Sequence, residues 1–134
     1  REREFRGYSA RGPYERDDGT IAPTAALGSI AFAPEIVEPT ARAMIDRYGS
    51  ALYQRYGFLD SFNPTLEGTD APIGKGRLVP GIGWVDNDYL GIDQGPIVCM
   101  IENHRSGLIW DVMRKNPHIR RGLTRAGFTG GWLA

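Results

Sequence analysis

Apolar residues recur at helical spacing in four stretches of the chain, and long segments between them keep no period. The run TIAPTAALGSIAFA, residues 20 to 33, predicts a helix of small residues with Thr20 as N-cap and Pro23 in its first turn. Small side chains on every face suit a helix packed closely all round. Pro34 opens a second helix, PEIVEPTARAMIDRYG, in which Ile36, Val37, Ala41, Met44, Ile45 and Tyr48 share one side and Glu38, Arg42 and Asp46 point outward. Gly49 stops it, and Pro39 is placed to kink or delay it. ALYQRYGFLDSFNP predicts a further short helical stretch, broken at Gly57 and Pro64. Residues 63 to 90 are rich in glycine and proline and predict a long loop or a small hairpin, a kind of excursion that is often functional. Asp93 or Gly95 caps a third long helix, with Pro96 at its first position, running to about Lys115. Asn116-Pro117 opens the last helix, which stops at Gly127-Phe128. Residues 1 to 19 read as an irregular lead-in. The pattern is all-α, four main helices and one excursion.

Apolar side chains from Ile97 to Met113 occupy most of the helical circumference, which predicts burial on nearly all sides. Cys99, the one cysteine, then reads as a buried and inert thiol, and no internal disulfide is possible. Glu102, Asn103, His104 and Arg105 interrupt this helix. Being consecutive, they point in four directions and cannot line one pocket. Glu102 and Arg105 are three apart and can pair. His104 reads as a hydrogen-bonded core side chain, and Asn103 as a candidate for a polar cavity.

Charge excludes little: 16 basic and 16 acidic side chains cancel, leaving no overall field for nucleic acid or an anionic membrane. The basic end around NPHIRRGLTRAG is a solvated helix face, and nucleic acid is not an expected partner. No apolar run approaches the ~20 residues of a membrane span. His104 and His118 are far apart, so no metal site is expected, and no cofactor motif is present. The mouth of the third helix is richer. Trp84, Asp86, Asn87, Asp88 and Tyr89 lead into Asp93 and Gln94, and aromatic faces beside carboxylates and amides are what sugar recognition needs.

Three runs, DDGTIAPTAALGSIAFAPE, YGFLDSFNP and LGIDQGPIVCMIENHRSGLIWDVMRKNPHIRRGLTRAGF, closely resemble the C-terminal part of the glycoamylase-like family, bacterial proteins related to endo-β-1,2-glucanases. The resemblance covers most of residues 5 to 128. It implies an (α/α)6 toroid with the active site at one mouth, of which residues 1–134 would be a C-terminal segment with about two inner–outer helix pairs and the rest upstream. Helices 20–33 and 96–115 suit inner positions; helices 34–48 and 117–126 suit outer ones.

The function implied is a segment of a glycoside hydrolase acting on glucan, with β-1,2-glucan favoured, that brings substrate-binding residues to the barrel mouth. The alternative is a non-catalytic carbohydrate-binding or scaffold module of the same ancestry. Glycosidases need two carboxyls, and Asp17, Asp18, Asp60, Asp86, Asp88, Asp93 and Glu102 are available. Asp93 is the catalytic candidate, with the general acid expected outside this chain. Asp18, Thr20, Asp60, Trp84, Tyr89, Gln94 and Asn103 are the substrate-binding candidates, and the partner is a glucan oligosaccharide or polysaccharide. A bacterial periplasmic or secreted location follows from the resemblance, with the cytoplasm left open. Inner-helix faces without their neighbours should drive self-association of the isolated segment. Light scattering tests this, and a monodisperse monomer would count against it.

Overall fold

The computed structural model describes residues 18–70 and 72–134, so the expected lead-in lies outside it except for Asp18 and Gly19. The first helix, α1, is shorter than expected, Pro23–Leu27, and begins after Ala22 with no side-chain cap. Thr20 does not cap it, because residues around Ile21 are extended and bridge Phe62 through paired backbone hydrogen bonds of 2.8 and 2.9 Å. Past Gly28 the chain continues in turns, where Ser29 Oγ bonds back to the Ala25 carbonyl at 3.0 Å. Such local bonding competes with helix propagation.

Helix α2, Pro34–Tyr48, runs as expected and ends at Gly49, whose φ of +51° suits glycine. Pro39 lies inside it, yet the helix is continuous. The carbonyl deprived of its donor belongs to exposed Glu35, which water can reach.

The stretch from Ala51 to Pro64 is not helical. A single 3-10 turn, Gly49–Ala51, leads into strands β1, Tyr53–Gln54, and β2, Gly57–Phe58, paired antiparallel around a turn at Arg55 and Tyr56. Tyr53 and Phe58 face each other edge-on, ring centres 5.0 Å apart. Cross-strand aromatic pairs of this kind stabilise a hairpin, and Gly57 at φ +98° supplies its turn geometry. Strands β3, Phe62–Asn63, β4, Arg77–Val79, and β5, Gly83–Val85, form a second antiparallel sheet in the order β3-β5-β4. The excursion is therefore a hairpin, and the all-α expectation holds only for the five helices. Gly83 is required where strands cross: its φ is +105°, and a Cβ there would come within 2.3 Å of the Asn63 carbonyl. Gly76 has the same constraint, since a Cβ would meet the Trp84 indole at 2.6 Å.

The core sits between α2 and these strands. Leu52, Phe58, Leu59, Phe62 and Val85 are almost fully buried, and Ala41, Met44 and Tyr48 of α2 close over them. Tyr48 packs on Phe62 at 4.8 Å. Burying a side chain such as Phe62 is worth about 1.5–3 kcal/mol.

The third helix, α3, spans Gly91–Ser106, so Asp93 lies in its first turn rather than capping it. Gly107, at φ +72°, breaks the predicted single helix, and α4, Leu108–Arg114, follows. Burial on nearly all sides is not observed: Val98 is 68 % exposed and Val112 60 %, and Cys99 is exposed rather than buried. Of α3, Ile97 and Asn103 are buried. No helix is long and apolar enough to cross a membrane among the described residues.

The four polar residues separate as their spacing demands. Glu102 and Arg105 approach to 3.7 Å at the surface. His104 is not a core side chain but half-exposed, 3.5 Å from Glu38 of α2. Asn103 turns inward, where its Oδ1 accepts the Trp110 N–H at 3.0 Å, so it does across the Gly107 break what an N-cap does for an intact start. The last helix, α5, Pro117–Arg125, is capped as expected by Asn116, which accepts from the His118 N–H at 2.9 Å, and Gly127 stops it at φ +84°. Replacing Asn103 with Ala should lower stability by about 1–2 kcal/mol, measured by urea unfolding. A loss near zero would show that Trp110 finds another acceptor.

Candidate active site at the start of α3

Asp60 lies on the buried link between β2 and β3, and its backbone is held from two sides. Its N–H donates to the Asp88 carbonyl at 3.1 Å, and Thr24 Oγ1 of α1 donates to its carbonyl at 3.4 Å. The side chain lies near enough to that of Asp93 for the two carboxyls to interact. Burial first, then interaction with the Asp93 carboxyl, push the Asp60 carboxyl up to about 6; Ser61 pulls the other way, and the charges of Asp93 and Asp86 add a smaller push. Asp93 stands in the first turn of a sixteen-residue helix, an end whose dipole favours an anion.

The surroundings complete the acid pair. Asp86 leaves β5 with its N–H bonded to the Ser61 carbonyl at 2.9 Å, and its Oδ1 accepts the Asp88 N–H at 3.0 Å. Asp88 is paired at the surface with Lys75, 3.2 Å away. Gln94 Nε2 donates to the Phe58 carbonyl at 3.2 Å. Tyr89 packs edge-on against exposed Tyr56, ring centres 5.6 Å apart. Its hydroxyl is buried without a partner.

Four of the expected residues, Asp60, Asp93, Gln94 and Tyr89, therefore gather in one place. Asp18 and Thr20 form a different cluster, organised by Asn63: Nδ2 donates to the Asp18 carbonyl at 2.8 Å and to Thr20 Oγ1 at 3.3 Å. Trp84 lies opposite Asn63 in the sheet, 1 % exposed, its Nε1 donating to the Lys75 carbonyl at 2.7 Å. Asn103 sits ten residues along α3 from Asp93, about 15 Å by the helical rise. Asn63 escaped the sequence reading. Its signal was the Asn-Pro-Thr turn, where its Oδ1 accepts from both Thr65 N–H and Thr65 Oγ1, at 2.9 and 2.7 Å. No cluster of three or more His, Cys, Asp or Glu side chains suited to a metal occurs among the described residues.

A family model described as "Putative glucoamylase" matches residues 1–117. The chain belongs to the glycoamylase family. It is 33 % identical over 119 residues to an exo-β-1,2-glucooligosaccharide sophorohydrolase of Parabacteroides distasonis, covering 88 % of this chain and 14 % of that protein. A solved structure from Bacteroides uniformis, carrying the same glucoamylase description, is 42 % identical with a TM-score of 0.73, covering 96 % of this chain and 27 % of its own. An endo-β-1,2-glucanase from Chitinophaga pinensis, solved with sophorotriose and glucose, is 35 % identical with a TM-score of 0.72, over 94 % and 27 % of the two chains. The chain thus spans about a quarter of these structures and a seventh of the sophorohydrolase.

Because Asp60 is pushed up to about 6 from an ordinary aspartate value, the folded protein holds its proton more tightly than the unfolded chain does. The stability this group contributes is fully present below about pH 4 and is lost as pH rises through about 6. Thermal melts from pH 4 to 8 should show the native protein losing stability relative to Asp60→Asn. A difference that does not vary with pH would separate Asp60 from the effect.

Proposed function

We propose that this chain is part of a glycoside hydrolase acting on β-1,2-glucan, and that residues around the start of α3 form the wall of its substrate site. The observation that carries the reading is the Asp60–Asp93 carboxyl pair at a helix N-terminus, in a chain whose relatives include β-1,2-glucan hydrolases. Two carboxyls close enough to share a hydrogen bond would not flank a scissile bond, which takes about 5–5.5 Å in retaining enzymes and about 6.5–9.5 Å in inverting ones. The pair therefore acts as one unit on one face of the sugar. Asp93 is the group facing substrate, as base or nucleophile, and Asp60 supports it from the protein side. The general acid comes from outside the described residues.

Tyr89 and Gln94 flank this unit, and Asp18 with Thr20 contributes a second polar edge through Asn63. Trp84 and Asn103 serve the site by holding the sheet and the α3–α4 junction. In the (α/α)6 arrangement α1 and α3 take inner places and α2 and α5 outer ones, and the protein works in the periplasm or outside the cell. The alternative is a carbohydrate-binding module without turnover.

The test uses the protein expressed from its complete reading frame, with reducing-end release from linear β-1,2-glucan as the readout. Asp93→Asn should lower kcat by about 10²- to 10⁴-fold while glucan still binds. The pH profile should carry a limb near 6 that disappears in Asp60→Asn. Binding without release by the native protein would support the module instead, and neither binding nor release would sink both readings.

A further inference from the structure

Two carboxyl groups in contact repel whenever both are charged, so their approach must be enforced by the structure around them. Asp60 is enforced by its backbone, bonded to Asp88 and to Thr24. Asp93 is carried on the first turn of α3, whose backbone bonds run within the helix and back to Leu90. The helix packs against α1, and a side-chain hydrogen bond ties its first turn to β2. Gln94, the neighbour of Asp93, reaches the carbonyl of Phe58, two residues ahead of Asp60. Phe58 is a fixed anchor: it is 2 % exposed, it pairs with Tyr53, and the next N–H along, that of Leu59, bonds the Leu52 carbonyl at 2.9 Å.

We infer that Gln94 is the positioning residue of the acid pair, its side-chain amide pinning the start of α3 to β2 and so fixing Asp93 against Asp60. This rests on the reading of those two carboxyls as functional, and it gives Gln94 a role distinct from a sugar contact. The other charged groups around the pair leave that role unfilled. Asp86, beyond β5, adds repulsion; Asp88 is occupied by Lys75; α1 presents Thr24, which is neutral.

Gln94→Met keeps the length of the side chain and removes the donor. In the protein from its complete reading frame, kcat on β-1,2-glucan should fall about 10- to 100-fold with KM within about twofold. The limb near pH 6 should move to lower pH. Carboxyl-carbon NMR without substrate should show Asp60 titrating closer to an ordinary aspartate than in the native protein. A raised KM with kcat preserved would make Gln94 a substrate contact and overturn the inference, as would an unchanged Asp60 titration. Gln94→Glu guards against a folding defect: its side chain donates only when protonated, so kcat should be retained at acid pH and lost above the titration of that group. Native-like kcat at every pH would also overturn the inference. If the native protein releases no reducing ends, the glucan reading fails, while the NMR titration still decides the part played by Gln94.

Discussion

Six consecutive residues, Phe58 to Asn63, are at most 7 % exposed, and three of them are polar. A buried backbone must find partners for its N–H and C=O groups, and this requirement arranges most of the molecule. Leu52 receives the N–H of Leu59, Asp88 that of Asp60, and Ile21 that of Phe62. Carbonyls along the same segment are met by Gln94, Thr24, Asp86 and Ile21. The first hairpin, the second sheet, α1 and the mouth of α3 all converge on it because each satisfies one part of it.

The acid pair is a product of that convergence. Asp60 sits in the segment because its main chain is needed there, and Asp93 reaches it because Gln94 is drawn to the same backbone. The contact is unfavourable when both groups are charged, and the surrounding hydrogen bonds and the packing of Phe58 and Phe62 offset it. A local conflict held in place by a well-satisfied scaffold is a common mark of a functional site. Membership of the glycoamylase family and the sugar-acting relatives give that conflict its chemical context.

How much of this was legible in the sequence differs by element. Helices α2 and α5 were readable because their signals are local: proline at the first turn, apolar residues at helical spacing, and glycine at the stop. Asp93, Gln94, Tyr89 and Asp60 were singled out from residue type and position, but their meeting was not visible, since Asp60 and Asp93 lie in different periods of the chain. The hairpin at Tyr53–Phe58 was misread as helical because its strands are two residues long, too short to show alternation. The helix from Gly91 to Arg114 looked buried on all sides because periodicity reports apolar character, not what lies against it. Its break at Gly107 passed unnoticed, a lone glycine being tolerated in many helices.

The segment from Phe58 to Asn63 also sets an order of events in time. Its partners are remote: Thr24 with Asp60 and Gln94 with Phe58 each join residues 36 apart, and Asn63 with Asp18 residues 45 apart. Closing such loops sacrifices chain entropy before any contact compensates, whereas α2 and α5 close on their own neighbours. By this argument helix closes at a lower entropic cost than the carboxyl pair, which needs the long-range bonds. The two carboxyls can then serve as a clock for the fold: the interval between recovery of helix content and their pairing would measure the closure of the Phe58–Asn63 segment.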